Sequence, residues 1–286
     1  MQVQNNIASI NAARNQGIET GKLKKSLEKL SSGFRIVRAG DDAAGLAISE
    51  GMRSRINSLN QAMRNIDDGI GLTNVGDGAL TEVHSMLQRL KTLGLKSANG
   101  TYDQSNRETL NMERDQILEE IDRIGSTTKF GEISLFSRAD ANAITPGWQP
   151  PELDDTITLQ IGGSAQAEEV LDVERYYIGS RELQLDKTDF SDVETGQQSV
   201  GYIEDAIEAV SKVRASFGAA YMHLEHTHNN LSVTSENMQA AESQIRDTNM
   251  AEEITKYTSS NIVLQSSNMM LTNANNLPQT ILELLK

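Results

Sequence analysis

The chain has 286 residues, of which only 4% are aromatic, so a core must be built mainly from aliphatic side chains. Lys and Arg number 26 against 40 Asp and Glu, and the net charge of -14 argues against a nucleic-acid groove or an anionic membrane surface as partner. Cysteine is absent, which excludes disulfides and thiolate metal sites.

The first residues, MQVQNNIASINAARNQG, lack the basic start and continuous apolar run of a cleavable signal peptide, so export would need a dedicated route. Ile7 and Ile10, then Leu23, Leu27 and Leu30, supply the apolar positions of a first helix. The stretch LSSGFRIVRAGDDAAGLAIS reads as a hinge. Gly33 can take the left-handed conformation that ends helices, and Asp41 or Asp42 can cap the next helix before Ala43. Arg35 and Arg38 lie on a linker too short to form a core, and are expected to pin it to nearby carboxylates.

In the next helix Met52, Leu59, Ile66, Leu80 and Leu87 share one heptad track, and Ile56, Met63 and Ile70 another. Ser105 and Glu108 have capping-box spacing and announce a third helix carrying Leu110, Ile117, Ile121 and Ile124. Residues 126 to 195 change character. ANAITPGWQPPELDD holds three of the four prolines and the only Trp, and reads as an irregular surface loop. DTITLQIGGSAQ puts Ile157, Leu159 and Ile161 on one strand face, turns at Gly162-Gly163, and predicts a hairpin returning through Val170 and Val173.

From Ile203 an apolar residue recurs every seven positions, through Val210, Phe217, Leu224, Leu231 and Met238 to Ile245, while Arg214, His228 and Ser235 narrow the seam. A helix of roughly 60 residues would span about 90 Å. The fold class that follows is mainly α: a long-helix coiled-coil bundle formed by the N- and C-terminal parts, with a small β-hairpin insertion. His223, Glu225, His226 and His228 invite a metal reading, but they spread around the helix and match neither H-E-x-x-H nor H-x-x-E-H, so a solvated face is expected. No phosphate loop and no nucleophile with a base is evident, and neither an enzyme nor a cofactor or metal is expected.

No charged residue occurs from Tyr257 to Leu282. Gln265, Asn268, Asn273 and Asn275 would be costly in lipid, which argues against a membrane span. Val263, Met270, Leu277 and Leu284 repeat every seven residues and make one apolar stripe for burial by partners. Both termini are expected to be disordered in the monomer and to fold on assembly.

NNIASINAARN, LSSGFRIVRAGDDAAGLAIS, DGIGLTNVGDGALTEVHSMLQRL, QIRDTNMAEEITKYTSSNI and NNLPQTILELL, in this order, resemble bacterial flagellin. The resemblance implies a subunit that polymerises into the flagellar filament for motility. Its regions would be an inner-tube helix and connector (1–40), the first part of a helical shell (41–138), a small variable region with the hairpin (139–198), a long shell helix (199–250) and a C-terminal inner-tube helix (251–286). In this family the connector lies where neighbouring subunits touch. Arg35, Arg38, Asp41 and Asp42 are therefore expected at subunit contacts, with Val263, Met270, Leu277 and Leu284.

Further implied partners are an export chaperone, the filament cap, the hook-filament junction proteins and a host flagellin-sensing Toll-like receptor. The receptor would read Arg89, Leu93 and Glu113, although Thr92, Gly94 and Lys96 depart from the family pattern and Leu93 has core spacing from Leu90. Location would be extracellular, through the flagellar secretion system. A hook-filament junction adaptor and a secreted coiled-coil binding protein remain as alternatives. The LPQTILELL tail and the connector favour the filament subunit over the first, and the uncharged tail is unexplained by the second.

Overall fold

The computed structural model describes residues 6–136, 156–164 and 166–284, without the side chains of 167 and 277–284. The helices are α1 (Ile7–Ser32), α2 (Ala43–Ser97), α3 (Gln104–Thr127), α4 (Val193–Arg246) and α5 (Met250–Leu284). Strands β1 (Lys129–Phe130) and β2 (Ile133–Ser134) pair antiparallel, as do β3 (Thr156–Gln160) and β4 (Val170–Glu174). The chain divides into two compact units, Met1–Asn57 with Ser235–Lys286, and Ser58–Thr234.

The second unit contains the main core. The expected tracks bury Leu59, Ile66, Leu80 and Leu87 on α2, and Ile203, Val210, Phe217 and Leu224 on α4. The two helices run antiparallel, as the cross-pairs Asp77 with Arg214 (2.8 Å) and Lys91 with Glu204 (2.8 Å) show. Those pairs are partly exposed and worth at most about 1 kcal/mol each, so the apolar seam dominates. Gly69 and Gly76, seven residues apart, face Leu224 and Phe217, also seven apart. A Cβ at Gly76 would stand 3.1 Å from the Phe217 ring, and one at Gly69 would stand 3.2 Å from Leu224. Thr73 continues the Leu59–Ile66 track as a buried polar residue, satisfied by donating to the Ile70 carbonyl at 2.9 Å.

The third helix starts one residue before the expected cap. Gln104 is its first residue and Asp103 its N-cap, which places Ser105 inside the first turn. Arg107 accounts for the difference. Its buried guanidinium reaches back to the carbonyls of Ser97, Asn99 and Tyr102, closing the end of α2 against the start of α3.

In the hairpin Ile157 lies opposite Val173, and Leu159 opposite Leu171, all packed on the core. Val170 faces Gln160 on the other side, so Leu171, not Val170, completes the apolar face. The connection is longer than a two-residue turn, running through a short 310 turn at Ala167–Glu169. The Glu169 carboxylate accepts from both the N–H and the hydroxyl of Ser164, at 2.5 and 2.8 Å. The proline-rich loop expected before it lies outside the described residues.

In the first unit, α1 and α5 pair antiparallel. The terminal segments, expected to order only on assembly, are helical and paired within the single chain. Small side chains explain it: Ser26, Ser267 and Ala274 are buried on the facing sides. Uncharged polar groups bridge between them, from the Asn6 amide to the Ala274 carbonyl (2.6 Å), the Ser9 hydroxyl to Asn275 (2.7 Å), and the Gln16 amide to Asn268 (2.7 Å). No helix of the described residues is long and apolar enough to cross a membrane.

Candidate functional site

The connector between α1 and α2 is zipped to the short link between α4 and α5. Gly33 is left-handed (φ 76°) and donates to the Lys29 carbonyl, ending α1 as expected. Its own carbonyl accepts from the Thr248 N–H at 2.9 Å, and the Arg35 N–H donates to the Arg246 carbonyl at 2.6 Å. Phe34 and Asp247 form an antiparallel bridge between these bonds. The Arg35 guanidinium takes the carbonyls of Ile245 (2.5 Å) and Gln244 (3.5 Å), not a carboxylate as the sequence suggested. The end of α4 offers unpaired carbonyls and the negative pole of its dipole, which a cation satisfies well.

Arg38 does take a carboxylate, that of Glu28 at 2.7 Å. The two aspartates divide their roles. Asp42 caps α2 by accepting from the Gly45 N–H at 2.9 Å, whereas Asp41 accepts from the N–H groups of Arg38 (3.2 Å) and Val37 (3.4 Å). The Arg38 N–H bond, aided by the Val37 bond and the nearby Lys29 and Lys25, holds the Asp41 carboxyl below its ordinary pKa.

Arg246 escaped the sequence reading. Its side chain is only 11% exposed, bridges Glu50 at 2.6 Å and lies over the Phe34 ring. The available signal was an arginine in the last turn of a long helix, followed at once by the helix-breaking Asp247-Thr248.

Two outward tracks of α5 remain open. Ile262 and Met269 are 62% and 67% exposed, one heptad apart; Val263 and Met270 are 42% and 64% exposed, likewise one heptad apart. The stripe read from sequence is therefore the open one, and the stripe that meets α1 is another, through Leu264, Ser267, Leu271 and Ala274. Leu277 and Leu284 lie outside the residues whose side chains are described. On α1 the same split occurs: Leu23, Ser26 and Leu30 turn inward, while Ile7, Ile10 and Ile18 are open.

On the second unit, the Arg89 guanidinium meets the Glu113 carboxylate at 2.6 and 2.7 Å, joining α2 to α3. Both side chains keep substantial exposure. Leu93 does not stand beside them on the surface; it is wholly buried in the core. Gly94 has a packing reason, since a Cβ there would lie 3.0 Å from Val200 and 3.4 Å from the Phe190 ring. His223 and His226 are exposed, and His228 is half-buried and 3.6 Å from Asp67.

The model of the bacterial flagellin N-terminal helical region matches residues 3–141, and that of the C-terminal helical region matches residues 200–285. The chain belongs to the bacterial flagellin family. It is 42% identical over 286 residues to a flagellin of Halalkalibacterium halodurans, covering all of both chains. It is 38% identical over 295 residues to the flagellar filament 33 kDa core protein of Treponema phagedenis, again covering both completely. A putative flagellar hook-associated protein from Vibrio parahaemolyticus has a similar fold, with a TM-score of 0.59 at 14% identity, covering 72% of this chain and 100% of that one. The chain's role is accordingly structural, as a subunit of the flagellar filament.

Proposed function

We propose that the chain polymerises through the outward faces of the paired terminal helices α1 and α5, with the connector at a subunit boundary. The observation that carries this reading is the set of open apolar residues, Ile7, Ile10 and Ile18 on α1 with Ile262, Val263, Met269 and Met270 on α5, on helices whose small seam is already filled. Leaving so many large apolar groups in water is unfavourable, and burial of each contributes about 1.5–3 kcal/mol when complete. Arg35, Arg38, Asp41 and Asp42 each have a partner within the chain and stay exposed for a neighbour. A junction adaptor is the weaker reading, because the full-length relatives are flagellins and filament core proteins.

The experiment seeds purified chain with sheared filament fragments and follows elongation by negative-stain electron microscopy. The full chain extends the seeds, and Val263→Asp/Met270→Asp, with unchanged helical content, does not. Extension by the variant would overturn the reading.

The same proposal extends to the partners expected of a flagellin: an export chaperone, the filament cap, the hook-filament junction proteins and passage through the flagellar secretion system to the cell exterior. For a host Toll-like receptor, Arg89 and Glu113 offer a charged, accessible pair, whereas Leu93 is buried and offers no surface. A reporter-cell response that is unchanged by Arg89→Ala would remove that partner's proposed contact.

A further inference from the structure

We infer that Met269 and Met270 form an oxidation site, and that their conversion to sulfoxides excludes the chain from a growing filament. The inference rests on the proposed assembly through the outward face of α5. With no cysteine in the chain, no thiol competes for an oxidant, and the thioethers are the softest nucleophiles present. Met269 and Met270, 67% and 64% exposed, are the two most open methionines among the described residues, ahead of Met112 at 60%.

The reaction with hydrogen peroxide is an oxygen transfer. The sulfur lone pair attacks one peroxide oxygen, the S–O bond forms as the O–O bond breaks, and proton transfer releases water. Sulfur is oxidised by two electrons and the peroxide reduced by two.

In the free chain the sulfoxide oxygen is hydrated and harmless, because neither methionine belongs to the seam with α1. Against a second copy the situation reverses. On the same outward tracks Ile262 and Val263, two turns away, offer no side-chain donor, and the sulfoxide oxygen loses its hydration when that face is covered. Oxidation thus acts on assembly and leaves monomer stability alone. Once a second copy covers the pair, peroxide no longer reaches it.

The test treats full-length monomer with hydrogen peroxide, removes the oxidant with catalase, confirms sulfoxide at both positions by peptide mass spectrometry, and adds the chain to filament seeds. Elongation is expected to fall about tenfold or more with melting temperature unchanged. In a partly oxidised pool, sulfoxide at Met269 and Met270 is depleted from the filament and enriched in the unincorporated chain. Met269→Leu/Met270→Leu keeps its elongation rate after the same treatment, whereas Met112→Leu/Met222→Leu is inhibited like the parent. Equal sulfoxide content in both fractions, or undiminished elongation by oxidised chain, overturns the inference while leaving the assembly reading standing. Failure of untreated chain to extend seeds overturns the assembly reading itself, and the inference with it.

Discussion

The guanidinium carbon of Arg246 lies 4.7 Å from the centre of the Phe34 ring. One residue ends α4 and the other begins the connector out of α1, so this contact fastens two chain reversals to each other. The backbone bonds Arg35 to Arg246 and Thr248 to Gly33 flank it, and Ile36, 2% exposed, follows in the connector.

Arg246→Ala removes the ring stack and the Glu50 bridge together. A stability loss of about 1–3 kcal/mol is expected in denaturant titration. Amide exchange across residues 33–42 should accelerate as well. Arg246→Lys keeps the charge but loses the planar stack, and should fall between the two.

Arg107 closes the α2–α3 turn with charge-assisted bonds to three carbonyls. Replacing it with Met keeps the length and leaves those acceptors without their donor. A loss of about 2–4 kcal/mol is expected, read as a lower melting temperature in calorimetry.

Leu93 and Arg89 sit four residues apart on α2 yet have opposite surroundings. Leu93→Ala should cost about 2–5 kcal/mol through the cavity it leaves, and Arg89→Ala about 1 kcal/mol or less. Urea midpoints of the two variants check this directly. Comparable losses would mean that Leu93 is not a core residue.

Asp189 carries the acid sensitivity of the loop before α4. Its carboxylate accepts from the Ser191 hydroxyl (2.7 Å), the Ser191 N–H (3.0 Å) and the Asn111 amide (3.2 Å). The Ser191 hydroxyl, then the Ser191 N–H and Asn111, hold its pKa below the ordinary value, with Arg114 assisting. A depressed folded-state pKa means that the contribution is fully present above the unfolded value of about 3.9 and is lost as pH falls through the folded value. Melting temperatures of the parent and Asp189→Asn, measured from neutral pH downward, should therefore converge below about pH 4. A gap that persists at lower pH would contradict this assignment.

Much of this was legible in the residues. Gly33 and Asp42 carry conformational and capping preferences that operate within a few residues, so the ends of α1 and α2 follow from local chemistry. The heptad tracks on α2 and α4 were equally plain, because one face of each is strongly apolar. The capping-box spacing at Ser105 misled by two residues, since the turn itself overrode it: Arg107 reaches back to the carbonyls ending α2. The hairpin's strand faces were readable, but the register that brings Leu171 opposite Leu159 depended on the longer connection that Glu169 stabilises.

By itself, then, the sequence determined the helices, the end of α1 and the start of α2, the apolar seam of the larger unit and the family. Tertiary structure alone decided which stripe of α5 meets α1. Periodicity reports that a helix has an apolar stripe but not which partner covers it. Close approach of two backbones favours Ser26, Ser267 and Ala274 at the contact, because their short side chains let the helices pack tightly and leave room for the amide bridges. The larger Val263 and Met270 are left outside, where Ile7 and Ile18 are also found.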